Sequence, residues 1–167
     1  MSIAEREFDS DEIHPIDIVE TLAEERSWDF DRIAEDQIAM AIEGVWRTYS
    51  VTLAWSPRDE TLRLICAFDL APPARRVTAL QATIALANDR CWSGAFVLWR
   101  EQKLMGYRYG LNLAGGASAT GAQINDMVRA AVAACERFYP AFQLVAWGGD
   151  TPEKALGIAM TEAYGRA

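Results

Sequence analysis

Apolar side chains along this chain recur every second residue in some segments and about every 3.6 residues in others. Two segments, 45–55 and 61–68, alternate apolar and polar positions, which is typical of half-buried strands. The polar sequence SPRDE separates them, so we predict an antiparallel hairpin. A second hairpin is predicted to join 94–100 to 104–113 through the polar residues EQK. The sheet is therefore expected to be antiparallel.

The first hairpin carries its predicted buried face on alternate residues, and a weaker pattern precedes it. One face of the strand 45–55 is expected to present Val45, Tyr49, Val51, Leu53 and Trp55. Segment 29–42 alternates only weakly, which predicts one short strand and the start of another. Three strands are therefore expected before the central helix.

Helical spacing of apolar residues marks four further segments. The pattern predicts helices over 15–26 and over 73–90, the second opened by the double proline Pro72–Pro73. A long helix follows residue 120, with Pro140 expected to kink or break it, and Gly148–Gly149 is expected to end it. A last short helix is predicted from Thr151 to about Tyr164. The order α-β-β-β-α-β-β-α-α indicates an α+β domain with an antiparallel sheet of about five strands flanked by helices.

Charge divides the chain unevenly. The net charge is −8 over 167 residues, but residues 1–36 carry −10 and the remainder +2. We expect 1–13 to be a flexible acidic segment and 14–167 to be a single domain. Five basic residues are candidates for a local positive patch: Arg75, Arg76, Arg100, Lys103 and Arg108. No long basic face is seen, so nucleic acid is not an expected partner.

The N-terminus and the apolar runs indicate where in the cell the protein is expected. The sequence MSIAEREFDSDE is acidic where a signal peptide is basic and then apolar. Charged residues interrupt the richest apolar stretch, so no membrane span is predicted. We therefore expect a cytoplasmic protein that does not associate with membranes.

Residues able to carry chemistry are few. His14 is the only histidine, and because it precedes Pro15 at a predicted helix start we interpret it as a helix cap. Cys66, Cys91 and Cys135 lie far apart within apolar patterns, which favours buried free thiols. No metal, cofactor or catalytic residue is therefore predicted. Asp29, Asp31, Glu35 and Asp36 are interpreted as a solvated acidic edge.

The stretch LNLAGGASATGAQIND, residues 111–126, resembles a phosphate-binding loop at first sight. A nucleotide P-loop requires Lys and Ser or Thr after its last glycine, whereas Ala122 and Gln123 stand there. Thr120 and Gln123 instead match a capping box, in which side chain and backbone at a helix start exchange hydrogen bonds. We therefore interpret the loop as a turn followed by a helix cap.

Surplus aromatic side chains offer the weak candidates for binding. Trp46, and either Trp99 or Leu98, are expected to face away from the main apolar stripe, and exposed aromatic residues mark contact surfaces. Gly106 and Gly110 share one strand face with Arg108, which indicates close packing against the strand backbone or a bend. The candidate partner- or ligand-binding residues are Trp46, Trp99, Tyr107 and Arg108.

Several segments together resemble one bacterial family. SWDFDRIAEDQIAM, LICAFDL, ALANDRCWSGAFVLW, CERFYPAFQLVAWGG and TPEKAL, in this order and spacing, are similar to the YbjN family over about 14–164. The resemblance implies a fold similar to type III secretion chaperones, with a curved antiparallel sheet and frequent pairing as a dimer. It also implies a role in sensory transduction regulation, with no established enzymatic activity and no functional residues to transfer.

Two functions are consistent with these observations. The first is a non-enzymatic regulatory or chaperone-like module that binds a protein partner on an apolar patch or at a sheet edge. The alternative is a small-ligand sensor with a pocket between sheet and helices. We also expect a homodimer, because of the resemblance and because the helix 73–90 carries Arg75 and Arg76 beside an apolar stripe.

Overall fold

A computed structural model describes residues 13–165 of the chain. The predicted flexible segment 1–13 thus lies outside the described residues except for its last member. The elements are α1 (Pro15–Glu25), β1 (Asp29–Ala34), β2 (Gln37–Glu43), β3 (Thr48–Ser56), β4 (Thr61–Asp69), α2 (Val77–Asn88), β5 (Ala95–Trp99), β6 (Leu104–Asn112), α3 (Gly121–Ala146) and α4 (Pro152–Gly165). A single 3₁₀ turn, Ala74–Arg76, leads into α2.

The strands form one antiparallel sheet in the order β1-β2-β3-β4-β6-β5. The predicted α+β architecture with helices on the sheet is confirmed. The sheet has six strands rather than about five, because segment 29–42 forms two complete strands and four strands therefore precede α2. Charged positions on the edge strand β1 weaken its alternation, which is why the sequence pattern underestimated it.

One face of the sheet is covered by helices, and the core lies between them. The long helix α3 contacts β4 and β6, while α1 covers the β1–β3 side. Phe96 of β5 makes edge-to-face contacts with Tyr107, Phe138 and Phe142, at ring-centroid distances of 5.1, 5.7 and 5.0 Å. Such aromatic pairs add stability beyond the area that they bury. This interior is therefore filled by side chains.

No helix of the described residues covers the other face of the sheet, where small side chains lie among a few larger ones. Ala67 of β4 and Gly106 of β6 are paired in its centre, and Ile65 is exposed beside them. A Cβ atom at Gly106 would lie 2.5 Å from the Trp99 ring, so the indole packs directly on the glycine backbone. This is the close packing that the strand glycines predicted.

The two sheet edges are closed in different ways. At β5, the Asn88 side-chain amide donates to the Phe96 carbonyl and its oxygen accepts from the Phe96 amide, at 3.2 and 2.7 Å. At β1, Asp29 and Asp31 are exposed and Arg32 binds Asp17 and Glu20 of α1. Blocked or charged edges resist pairing with another strand. The predicted acidic edge is confirmed to be solvated, because all four of its residues are exposed: Asp29, Asp31, Glu35 and Asp36.

Several local predictions are confirmed, including the cap at residue 14. His14 caps α1, its Nδ1 accepting from the Ile16 amide at 3.1 Å. Pro140 lies inside α3 without breaking it, so the predicted break is wrong. The cysteines are free, and Cys66 and Cys135 are buried whereas Cys91 is half-buried.

Candidate functional site

The β2–β3 connection is a tight turn where the sequence predicted continuous strand. Residues 44–47 reverse the chain, and the Gly44 amide donates to the Arg47 carbonyl at 2.8 Å. The prediction that Val45 shares the buried strand face is wrong, because its side chain is 80% exposed at the turn apex. The next residue, Trp46, is 45% exposed. The turn thus presents two large apolar side chains to solvent.

The side chain of Glu136 in α3 fixes the position of this turn through hydrogen bonds. Its carboxylate accepts from the backbone amides of Val45 and Trp46 at 3.0 and 3.3 Å, and from the Tyr49 hydroxyl at 2.6 Å. Hydrogen bonds to an ionised acceptor are shorter and stronger than neutral ones. A residue 90 positions away therefore determines where Trp46 stands.

Gly44 and Tyr49 show how closely this arrangement is packed. A Cβ atom at Gly44 would lie 2.2 Å from a Glu136 carboxylate oxygen and 2.7 Å from the Tyr49 ring. Burial, followed by the hydrogen bond to Glu136, raises the pKa of Tyr49 well above its ordinary value. The tyrosine therefore stays protonated and continues to donate to the carboxylate at neutral pH.

An apolar groove of about 440 Å³ adjoins the turn, and we name it the aromatic groove. It is lined by Trp46, Tyr139, Pro140, Gln143, Leu144, Trp147, Gly148 and Ile158. The Trp147 side chain is 59% exposed, and Ile158 of α4 is partly exposed. Adjacent exposed aromatic and aliphatic side chains of this kind mark interaction sites.

The end of α3 fixes Trp147 at the rim of the groove. Trp147 directly follows the last residue of the helix, and Gly149 adopts a φ of 74° that favours glycine. The Arg76 guanidinium donates to the carbonyls of Val145 and Asp150, both at 2.8 Å. Because these carbonyls lie on either side of Trp147, the arginine ties the segment to the start of α2.

Arg47, the last residue of the turn, packs its guanidinium near two aromatic rings. Its guanidinium is 5.8 Å from the ring centroids of both Phe68 and Tyr139. Its one ion pair is long, at 3.9 Å to the largely exposed Asp69. The buried Arg47 Nε has no hydrogen-bond partner among the described residues. Within residues 13–165, the positive charge is therefore only weakly compensated by acidic groups.

The four binding candidates from the sequence do not come together. Tyr107 is buried toward the helices, where burial raises its pKa to about 12. Arg108 is exposed on the helix-free face, and Trp99 lies on that same face over Gly106. Trp46 stands three strands away from β5, in the turn. The predicted pocket between sheet and helices that would unite them is therefore not seen, because large core side chains occupy that space.

The predicted positive patch is partly dispersed. Arg76 is engaged with the end of α3, and Arg108 projects from the helix-free face. Arg100 and Lys103 line a groove of about 510 Å³ together with Leu70, Ala71, Pro72, Ala74, Val77 and Glu101, and we name it the basic groove. The exposed Arg75 directly follows Ala74 of this lining.

Trp46 was identified as a contact candidate from its place opposite the apolar stripe, but its groove partners were not. Trp147 and Ile158 sit in helical patterns that by themselves indicate core. The one available signal was the position of Trp147 immediately before the glycine pair that ends α3. Helix ends often leave a large side chain outside the packed interface.

Within residues 13–165, no helix combines the length and apolar character that a membrane crossing requires. The YbjN family model, described as "Putative bacterial sensory transduction regulator", matches residues 15–144. The crystal structure of YbjN from E. coli, described as "a putative transcription regulator", shares 11% sequence identity with a TM-score of 0.55, covering 74% of this chain and 90% of that chain. No curated protein matches the chain. Because the family model spans most of its length, the chain belongs to the YbjN family.

Proposed function

We propose that this protein is a non-enzymatic regulatory module that binds a segment of another protein in the aromatic groove. The observation that carries the proposal is the pair of exposed tryptophans, Trp46 and Trp147, each on a backbone segment that long-range hydrogen bonds hold in place. Trp is among the residues that contribute most to protein–protein binding energy. Side chains that are ordered before binding lose less conformational entropy on association.

The groove is better suited to a partner segment than either sheet edge is. At β5 the Asn88 side chain already occupies the outward backbone groups of Phe96. At β1 the exposed positions Asp29 and Asp31 are acidic. Strand addition needs an unblocked edge, whereas an apolar groove accepts a helix or an extended segment directly. The chaperone-like binding mode therefore uses the groove.

The non-enzymatic part of the proposal rests on how the polar groups of the site are used. The Glu136 carboxylate accepts three hydrogen bonds from the turn and from Tyr49. His14 Nδ1 is engaged in capping α1, at the other end of β3 from the turn. Each group serves to hold backbone in place. The predicted cytoplasmic location remains part of this proposal.

A binding comparison among tryptophan variants tests the function. Tagged wild-type protein, Trp46→Ala and Trp147→Ala would be used to capture partners from a native bacterial lysate, with quantitative mass spectrometry. Trp92→Ala is the matched control, since Trp92 is fully exposed but does not line the groove. A partner retained by wild type and Trp92→Ala but lost from both groove variants supports the proposal. Partners bound equally by all four proteins contradict it.

Homodimerisation is a separate part of the proposal and is supported by the helix-free sheet face. Ile65 is exposed at its centre, and Val97, Trp99 and Leu104 are only partly buried there. These apolar residues share the face with the exposed Arg63 and Arg108, and such a face can pack against a second sheet about 10 Å away. The helix 73–90 is a weaker candidate for the dimer interface, because Arg76 forms hydrogen bonds within the chain.

Light scattering at micromolar concentration is expected to give twice the monomer mass, and Ile65→Lys is expected to restore the monomer. A monomeric wild type would contradict the dimer.

Small-ligand sensing is the second candidate function, favoured by a cavity of about 210 Å³ at the opposite end of the sheet. His14, Glu60 and Ser118 line it together with Trp55, so polar and aromatic groups converge. Thermal-shift screening against metabolites, nucleotides and lipids would test it. A ligand whose stabilisation is lost in Trp55→Ala supports sensing, and no shift with any compound contradicts it.

A further inference from the structure

The aromatic groove and the basic groove share a border at one end of the molecule. Arg47 follows Trp46 in the turn, and its guanidinium donates to the Asp69 carbonyl at 3.4 Å. Leu70, the next residue, lines the basic groove and its amide donates to the Lys103 carbonyl at 3.0 Å. Consecutive contacts therefore lead from Trp46 to Lys103.

Arg76 forms a second link between the grooves. It precedes Val77, which lines the basic groove, and it hydrogen-bonds to the carbonyls on either side of Trp147. Each link includes hydrogen bonds from an arginine side chain to backbone carbonyls, which hold the two grooves in a defined relative position. A single extended segment can therefore contact both at once.

Charge along this border is positive and poorly compensated. Among residues 13–165, Arg100 and Lys103 form no ion pair, whereas Arg32, Arg63 and Lys154 each do. In the same range, the one ion pair of Arg47 is its long contact with Asp69. Of the described residues that line the basic groove, Glu101 is the one that is acidic. Unpaired cations beside apolar side chains favour a ligand that brings carboxylates together with an apolar anchor.

We propose that the partner segment is an acidic peptide with an aromatic or aliphatic anchor, which places its anchor against Trp46 and Trp147 and its carboxylates over Arg47, Arg100 and Lys103. This inference rests on the proposed protein-binding function and specifies the chemistry of the partner. Residues 37–167 carry a net charge of only +2, so the basic border is a local concentration of positive charge on a nearly neutral part of the chain. Charge complementarity of this kind determines which partner is selected and how fast it binds.

The test uses two labelled peptides of 12 residues that differ only in charge. One carries a tryptophan, a leucine and four aspartates, and in the other the aspartates are asparagines. Fluorescence anisotropy with the full-length protein at low salt is expected to show about tenfold tighter binding of the acidic peptide, which corresponds to a few partly exposed ion pairs. The difference is expected to shrink at high salt.

Two double variants of equal charge change locate the effect. Arg100→Glu/Lys103→Glu alters the basic groove, and Arg58→Glu/Arg90→Glu alters exposed arginines that line neither groove. The first is expected to abolish the preference for the acidic peptide and the second to preserve it. Equal binding of both peptides to wild type, or an equal loss in both variants, would overturn the inference. So would stronger binding to vesicles rich in phosphatidylserine than to the acidic peptide.

Trp147→Ala separates this inference from the function on which it rests. If the asparagine peptide binds as well as the acidic one and both need Trp147, the groove binds protein segments but the acidic preference is wrong. If the preference for carboxylates survives Trp147→Ala unchanged, the peptide occupies the basic groove alone. That result would overturn a segment shared between the grooves. Each variant would first be checked for wild-type thermal unfolding.

Discussion

Two connections in this protein use glycine to turn the chain, and they are stabilised over very different sequence distances. In the loop after β6, Gly115 and Gly116 adopt φ values of 73° and 74°, and Thr120 and Gln123 then close a capping box at 3.1 and 2.9 Å. In the β2–β3 turn, Gly44 is placed by Glu136, which lies 90 positions or more from the turn residues that it binds. The first connection is self-contained, while the second exists only once α3 has packed on the sheet.

The difference has a functional consequence. A self-contained cap keeps its geometry whatever the rest of the protein does, so it starts a helix reliably. A turn held from another element places its exposed side chains, Val45 and Trp46, relative to that element. Trp147 directly follows the end of α3. The hydrogen bonds from the turn to Glu136 of α3 therefore set the positions of the two groove tryptophans relative to each other.

Substitution of Gly44 should break the long-range turn most severely. In Gly44→Ala the new methyl group would collide with the Glu136 carboxylate and the Tyr49 ring, at 2.2 and 2.7 Å. Relief of the collision displaces Glu136 and breaks its hydrogen bonds, so we expect the free energy of unfolding to fall by about 4 kcal/mol. Urea denaturation measures it. Gly157→Ala in α4 is the control, because nothing lies within 4 Å of its Cβ position, and it should be neutral or slightly stabilising.

Removal of the Glu136 carboxylate should lower the free energy of unfolding somewhat less than Gly44→Ala does. Glu136→Ala leaves the Tyr49 hydroxyl and two backbone amides without their acceptor, and we expect a loss of about 3 kcal/mol in unfolding free energy. The Trp46 side chain should also become mobile; because the chain has six tryptophans, time-resolved fluorescence anisotropy assigns this motion by comparison with a Glu136→Ala/Trp46→Phe variant. The exposed Glu43→Ala serves as the control. An unchanged stability for Glu136→Ala would show that the turn holds itself and would remove the contrast between the two connections.

Alkaline pH should loosen the turn by a different route. The pKa of Tyr49 is raised in the folded protein, so between pH 10 and this higher pKa the unfolded state releases a proton that the folded state keeps. Stability is therefore full below pH 10 and falls above it, by about 1.4 kcal/mol per pH unit for each such tyrosine. Tyr107, whose pKa is about 12, contributes in the same direction between pH 10 and 12. Unfolding measured from pH 9 to 11 should show a shallower decline for Tyr49→Phe than for wild type.

Removal of the local helix cap at Thr120 should have the smallest effect on the free energy of unfolding. Thr120→Ala removes one half of the capping box, and we expect a loss of about 1 kcal/mol, with binding at the aromatic groove unchanged. Ser118→Ala, in the same loop and exposed, is the matched control for stability. Loss of nucleotide or phosphate binding in Thr120→Ala would instead mean that the loop is an anion site. Thermal unfolding with and without phosphate distinguishes these results.

Much of the fold was predictable because its signals are local. The caps at His14 and Thr120 involve residues two or three positions apart, and the strand 104–113 alternates regularly. The start of β3 was not predictable, because Val45 and Trp46 continue an alternating pattern and only Glu136 turns them out of it. The edge strand β1 was underestimated for the opposite reason, since its charged side chains obscure a real strand.

The sequence by itself determined the α+β class, the order of most elements, the family and the loop after β6. Each of these follows from periodicity, from capping chemistry or from the order of characteristic segments, which short-range interactions preserve. Only the tertiary structure decided that large side chains fill the space between the sheet and the helices and that Trp46 and Trp147 line one groove. The groove depends on where α3 ends relative to the β2–β3 turn, and that is set by packing and by one carboxylate across the fold.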